Sequence, residues 1–206
     1  MPFNTSVFIN CPFDKAYKKL LRLLIFTCIY CGLEPKLSEL KDSGSARVDG
    51  IIDLIKSSKY SIHDLSRMKS KEANELARFN MPFELGLELG VRVSGEKDLS
   101  TKVCLIIDSE KFRINIALSD LAGSDISSYG KTHQVEKIIK IIRDWFTAVI
   151  GPGMPASSFL YLEFVEFISD LQIDLEDLQY GKNAISNLPT SEYIDFATRW
   201  ISNRPA

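Results

Sequence analysis

VCLIID, residues Val103 to Asp108, is an apolar run closed by an acid. An uninterrupted apolar stretch of this length reads as a strand buried on both faces, the kind found inside a parallel sheet. Working outward, Tyr60–Leu65 (YSIHDL) is an earlier strand that also ends in polar residues, and Ser6–Asn10 (SVFIN) is a short β-rich run. Leu33–Leu37 is a further strand, weakened by Pro35. Helical spacing of apolar residues fills the intervals. Asp14–Cys31 carries Lys15, Lys18, Lys19 and Arg22 on its polar face and stops at Gly32. Ala46–Ser57 places Val48, Ile51, Ile52 and Ile55 on one side. Met81–Val93 and His133–Ile150 follow the third and fourth strands.

This β-α-β-α-β-α-β-α alternation predicts a doubly wound, mainly parallel α/β sheet with helices on both faces. The expected strand order is the flavodoxin-like 2-1-3-4-5; four strands are legible, and the stretch Phe112–Ile126 reads as irregular around "LSDLAGSD". Lys41–Ser45 reads as a loop and Ser66–Arg78 as a polar excursion. GPGMP at 151–155 is the clearest break. The expected organisation is an α/β domain over 1–150 and a C-terminal helical appendage over 151–206, with helices at Ser158–Leu171 and Glu192–Ser202.

The chain has 206 residues, 45% hydrophobic and 25% charged, enough for a sizeable core. A net charge of -2 supplies no global attraction for nucleic acid. The start, Met-Pro-Phe-Asn, runs directly into a strand and has no secretory pattern, and the apolar segment Leu20–Cys31 is too short to span a bilayer. Cys28 and Cys31 have CxxC spacing but lie within a helix; with Cys11 and Cys104 they read as reduced thiols of a cytoplasmic protein. His63 and His133 are too scattered for a zinc site, and no Walker, GxSxG or GxGxxG motif is present.

In a parallel sheet the carboxyl ends of the strands share one rim, where ligands bind. Asn10 and Asp64 end strands, and Asn80 and Glu84 open the next helix, so the four can converge there. Glu84 has a competing role: an acid in a first helical turn complements the helix dipole, worth about 0.3–1 kcal/mol, with Pro82 near the first position. Against that role, the neighbours Met81, Phe83, Leu85 and Leu87 imply a half-buried setting, and Gly86 and Gly90 would let the helix pack closely. An ionised, half-buried carboxylate would need donors to hold its pKa down. Asp64 reads alternatively as a turn former, and His63 as a residue packed on the sheet, pointing opposite to Asp64. Arg47, opening the second helix, is a phosphate clamp candidate, with Lys15 a weaker one.

NCPF (Asn10–Phe13), IHDLS (Ile62–Ser66), NMPFELGLELG (Asn80–Gly90) and KVCLIID (Lys102–Asp108) together resemble the nucleoside 2-deoxyribosyltransferase superfamily. Its fold is related to Toll/interleukin-1-receptor-like NAD-cleaving domains. The resemblance covers roughly residues 5 to 148 and departs from the family in the Asn80-Met81-Pro82 lead-in and the insert Met68–Arg78. FINCPFD, IHDLSR, FNMPFELG and SDLAGSDI are also similar to a bacterial group associated with phage-defence cassettes. The resemblance implies an N-glycosidic hydrolase of NAD or a related nucleotide, with NAD as substrate rather than cofactor and no metal. It puts Glu84 in the nucleophile's place and Asp64 in that of the acidic motif, with Asn10, Pro12, Phe13, Arg47, Asn80, Phe83 and Asp120 as substrate-binding candidates. A nucleotide sensor signalling through the C-terminal helices, and a deoxyribosyltransferase, are the alternatives. An oligomer or hetero-complex is expected through the apolar face of Phe159, Leu160, Leu162, Phe164, Val165 and Phe167.

Overall fold

Five strands run parallel in one sheet of order β2-β1-β3-β4-β5: β1 Ser6–Asn10, β2 Glu34–Lys36, β3 Tyr60–Asp64, β4 Val103–Asp108 and β5 Ile126–Ser128. This computed structural model describes residues 2–40, 47–69, 77, 79–95, 97–121, 123–130, 135–181 and 183–204. The order reverses at β1, so the α/β fold is doubly wound. β2 lies at the sheet's edge, where Pro35 removes no needed ladder donor. β5 begins at Ile126, the last residue of the stretch read as irregular; its three residues, ISS, are too few for alternation to register.

The helices are α1 Lys18–Tyr30, α2 Arg47–Lys56, α3 Asn80–Ser94, α4 Arg113–Ala117, α5 Val135–Ile150, α6 Ser157–Asp177, α7 Ala184–Asn187 and α8 Thr190–Ser202. The chain forms two compact units: residues 1–12 with 34–134, and residues 13–33 with 135–206. The break at GPGMP links α5 to α6, both in the second unit.

In the first unit, α2 and α3 pack together, and α3 also packs on β1 and β3. Met81 and Leu85 of α3 meet Leu65, Ile106 and Ile114, while Leu87 and Val91 flank a cluster of Phe8, Ile51, Leu54 and Ile55. The line between these two apolar stripes carries Glu84 and Glu88, which therefore face the sheet. Gly86 and Gly90 are exposed, and a Cβ at either would meet nothing within 4 Å. The expectation that they admit a close neighbour fails because they lie on the face opposite to the buried stripe.

The second unit is helical. Phe26 of α1 stacks on Phe167 of α6 at 5.2 Å and meets Trp200 of α8 at 6.1 Å. Gly32 takes φ +75°, and the amide of Leu33 donates to Cys28 O to close α1. Arg22, expected on the polar face of α1, is buried: it donates to Leu188 O and its guanidinium lies over the Tyr193 ring. Among the C-terminal apolar residues, Leu160 and Phe167 are buried, whereas Phe159, Leu162 and Val165 are exposed. No described helix is long and apolar enough to cross a membrane.

Candidate active site

In the order 2-1-3-4-5 the switch point falls between β1 and β3. The Asn10 side chain ends β1, opposite His63 in β3. Its amide nitrogen donates to Met81 O at 2.9 Å and lies 2.9 Å from His63 Nδ1. Because a carbonyl can only accept, the group facing Met81 O is the NH2, and its second proton goes to Nδ1. His63 is therefore the neutral Nε2–H tautomer. Burial, with Lys102 adding to it, pulls its pKa down to about 3. Asn10 thus pins the first turn of α3 over the carboxyl ends of β1 and β3, but it is itself buried and occupied.

Glu84 follows one turn into α3. The helix begins at Asn80, so no acid occupies its first turn and dipole capping does not account for Glu84. The side chain is 5% exposed. Among the described residues its carboxyl accepts no hydrogen bond. Burial raises its pKa to about 7, with the Arg47 charge pulling the other way. Among the described residues, the expected donors that would hold it down are replaced by the Arg47 charge. A carboxyl that is half ionised near neutrality, without a structural bond, is suited to proton transfer or to meeting positive charge.

Arg47 is exposed at the start of α2, which packs on α3. Asn80 is also exposed, and Phe83 is 55% exposed, with Phe79 beside it at 60%. Phe83 projects from the outer side of the helix while Glu84, expected in a half-buried setting, turns inward and is buried. Pro12 is buried. Phe13 belongs to the second unit. Asp120 is exposed on a 3-10 turn, Ser119–Leu121, with no bond to the residues around Glu84.

Asp64 is fully buried. One oxygen accepts the Ser66 amide at 2.8 Å, an Asx turn, and the other accepts the Tyr129 hydroxyl at 3.0 Å. His63 faces α3, so strand alternation sends Asp64 to the opposite face of the sheet. The sequence reading placed Asp64 with Glu84; the geometry puts His63 on the Glu84 side and gives Asp64 the turn-forming role. At the end of β4, Asp108 pairs with Arg113, whose Nε donates to Asp108 Oδ2 at 3.0 Å. Phe112, at φ +61°, turns the chain so that Arg113 reaches back.

Sequence reasoning missed Glu88, Lys102, Tyr129 and Arg113. Glu88 repeats Glu84 at i+4 on an apolar helix, a visible sign that this face meets something polar. Lys102, fully buried, donates to Ile55 O at 2.7 Å and to Ser58 O, and stands 3.2 Å from Glu88 Oε1. The Lys102 ammonium and the Glu88 carboxylate, both buried, form an ion pair. Nothing in the sequence distinguishes Lys102 from a surface lysine. His133 and residues 41–46 and 70–76 lie outside the described residues. Among the described residues no three His, Cys, Asp or Glu side chains gather as metal ligands. Compared with known proteins, the chain matches no family model, no curated protein and no solved structure.

Proposed function

We propose that this protein hydrolyses the N-glycosidic bond of a nucleotide, most simply NAD, with Glu84 as the carboxylate that faces the anomeric carbon. The observation that carries the reading is the Glu84 carboxyl, unbonded among the described residues and half ionised at neutral pH, at the β1/β3 switch point beside Arg47. Cleavage develops positive charge on the sugar ring, which an ionised carboxylate in a water-poor setting stabilises or captures. Arg47 suits a phosphate oxygen pair. Nicotinamide leaves NAD as a neutral molecule and needs no proton, so one carboxylate suffices. A purine leaving group would need an acid as well, and Asp64 is engaged elsewhere.

The test is nicotinamide release from NAD by the purified chain, compared with Glu84→Gln. Loss of turnover in Glu84→Gln with NAD affinity retained supports the reading; equal turnover in both removes Glu84 from it. A deoxyribosyltransferase would instead pass the sugar to an added free base. The withdrawal of Asp64 also favours a second reading, a nucleotide-sensing module, since most glycosidases work with two carboxyl groups. Calorimetric NAD binding without product over hours would select the sensor. For a hydrolase acting as a defence effector, expression in cells is expected to deplete NAD.

A further inference from the structure

Beneath α3, polar atoms meet without completing one another's hydrogen bonds. Among the described residues, His63 Nε2, Ser61 Oγ and both carboxylate oxygens of Glu88 are buried and complete no hydrogen bond, Oε1 having the Lys102 ion pair alone. They face one another: Ser61 and His63 alternate onto the same face of β3, and His63 Nε2 stands 4.0 Å from Glu88 Oε2. The Ser61 hydroxyl is close enough to Glu88 to favour its charged form, yet it falls outside hydrogen-bond geometry. Each of the three side chains is 1% exposed or less. Such a group of orphaned atoms costs about 1–3 kcal/mol apiece unless something satisfies them. Two polar atoms separated by more than about 3.5 Å are commonly bridged by solvent, and buried waters take two to four polar partners.

We propose that one water molecule is held between His63, Ser61 and Glu88, completing a buried chain that runs Asn10–His63–water–Glu88–Lys102. Asn10 donates to Nδ1, so Nε2–H donates to the water; the Ser61 hydroxyl donates to the water's other lone pair, and the water donates to Glu88 Oε2. The Lys102 ammonium already balances the Glu88 charge at 3.2 Å, which disfavours a cation in the same place. The chain ties α3 to the sheet at Met81 and again at Glu88. It does not depend on the glycosidase reading.

The test uses the intact protein. Crystals diffracting well enough to order solvent should show a water within about 3.2 Å of both His63 Nε2 and Glu88 Oε2. In solution, nitrogen-15 NMR should report the Nε2–H tautomer for His63, one of two histidines, and a water-to-His63 Hε2 NOE with a long residence time. His133→Gln assigns the signal. Ser61→Val, which fills the space, should abolish that NOE and leave the tautomer unchanged. An empty site with His63 and Glu88 in direct contact overturns the proposal, as does an Nδ1–H tautomer or an NOE that survives Ser61→Val. If Ser61→Val does not fold, the diffraction and wild-type NOE decide alone.

Discussion

Glu84 owes its chemistry to one turn of helix. Were α3 to begin at Met81 as its apolar pattern suggests, Glu84 would still belong to the first turn, satisfying free amides; with Asn80 as the first residue it lies beyond them. Its pKa near 7 has a stability consequence. The ordinary glutamate value of 4.5 applies to the unfolded chain, so between pH 4.5 and about 7 the native state binds more protons, and stability falls as pH rises through that window. Glu84→Gln is therefore expected to stabilise the protein at pH 8 by about 1–2 kcal/mol after allowance for partial screening, with little gain at pH 4.5. Urea unfolding at the two pH values measures this. For the hydrolase proposed above the sign is opposite: NAD cleavage should rise with pH through an apparent pKa near 7. Arg47 pulls that pKa down, so Arg47→Ala should move the rise to higher pH and also raise KM for a phosphate-bearing substrate. A pH–rate profile with unmoved midpoint would separate Arg47 from the site.

At the scale of the element, α3 is held by polar contacts as much as by its apolar stripes. Asn10→Leu strands Met81 O and His63 Nδ1 in a buried setting and is expected to cost about 2–5 kcal/mol by denaturant unfolding. Lys102→Met leaves the Glu88 charge without its partner, an expected loss of about 3–5 kcal/mol. Lys102→Met with Glu88→Leu should recover much of that loss, since an apolar pair no longer carries a buried charge. If the double variant is no more stable than the single one, the ion pair is not what the single variant broke. The sequence pattern shows α3 and Glu84 as an acid in an apolar helix, because period and composition are local; Glu88 was missed, though its i+4 spacing from Glu84 was legible. The pattern conceals the partners of Glu88. His63 and Lys102 reach Glu88 from β3 and from the residue before β4, and neither distance along the chain nor residue type marks them out.

At the scale of the molecule, the second unit brings residues 13–33 together with 135–206. Phe26 packs against Phe164, Phe167 and Trp200, all beyond the GPGMP break. A fragment ending at residue 150 would uncover Phe26 and its neighbours on α1, and also lose Leu188 O from Arg22. Such a fragment is expected to bind hydrophobic dyes and lose its cooperative thermal transition, as followed by near-ultraviolet circular dichroism; a sharp transition like that of the full chain would show that α1 and α5 suffice. Nucleotide binding to the full chain should raise its Tm with ligand concentration, by the linkage that stabilises any native state with a ligand.

The alternation of apolar runs and helical periods was enough, on its own, to specify a doubly wound parallel sheet and the rim where β1 and β3 end, because both patterns repeat over a few neighbouring residues. The same local rules marked Glu84 as an acid in an apolar helix. Only the tertiary structure separated Glu84 from Asp64, since strand alternation and the Tyr129 hydroxyl commit Asp64 elsewhere. It alone found β5, whose three residues are too few for a period, and the Glu88–Lys102 pair, whose members meet through packing of a helix on a sheet.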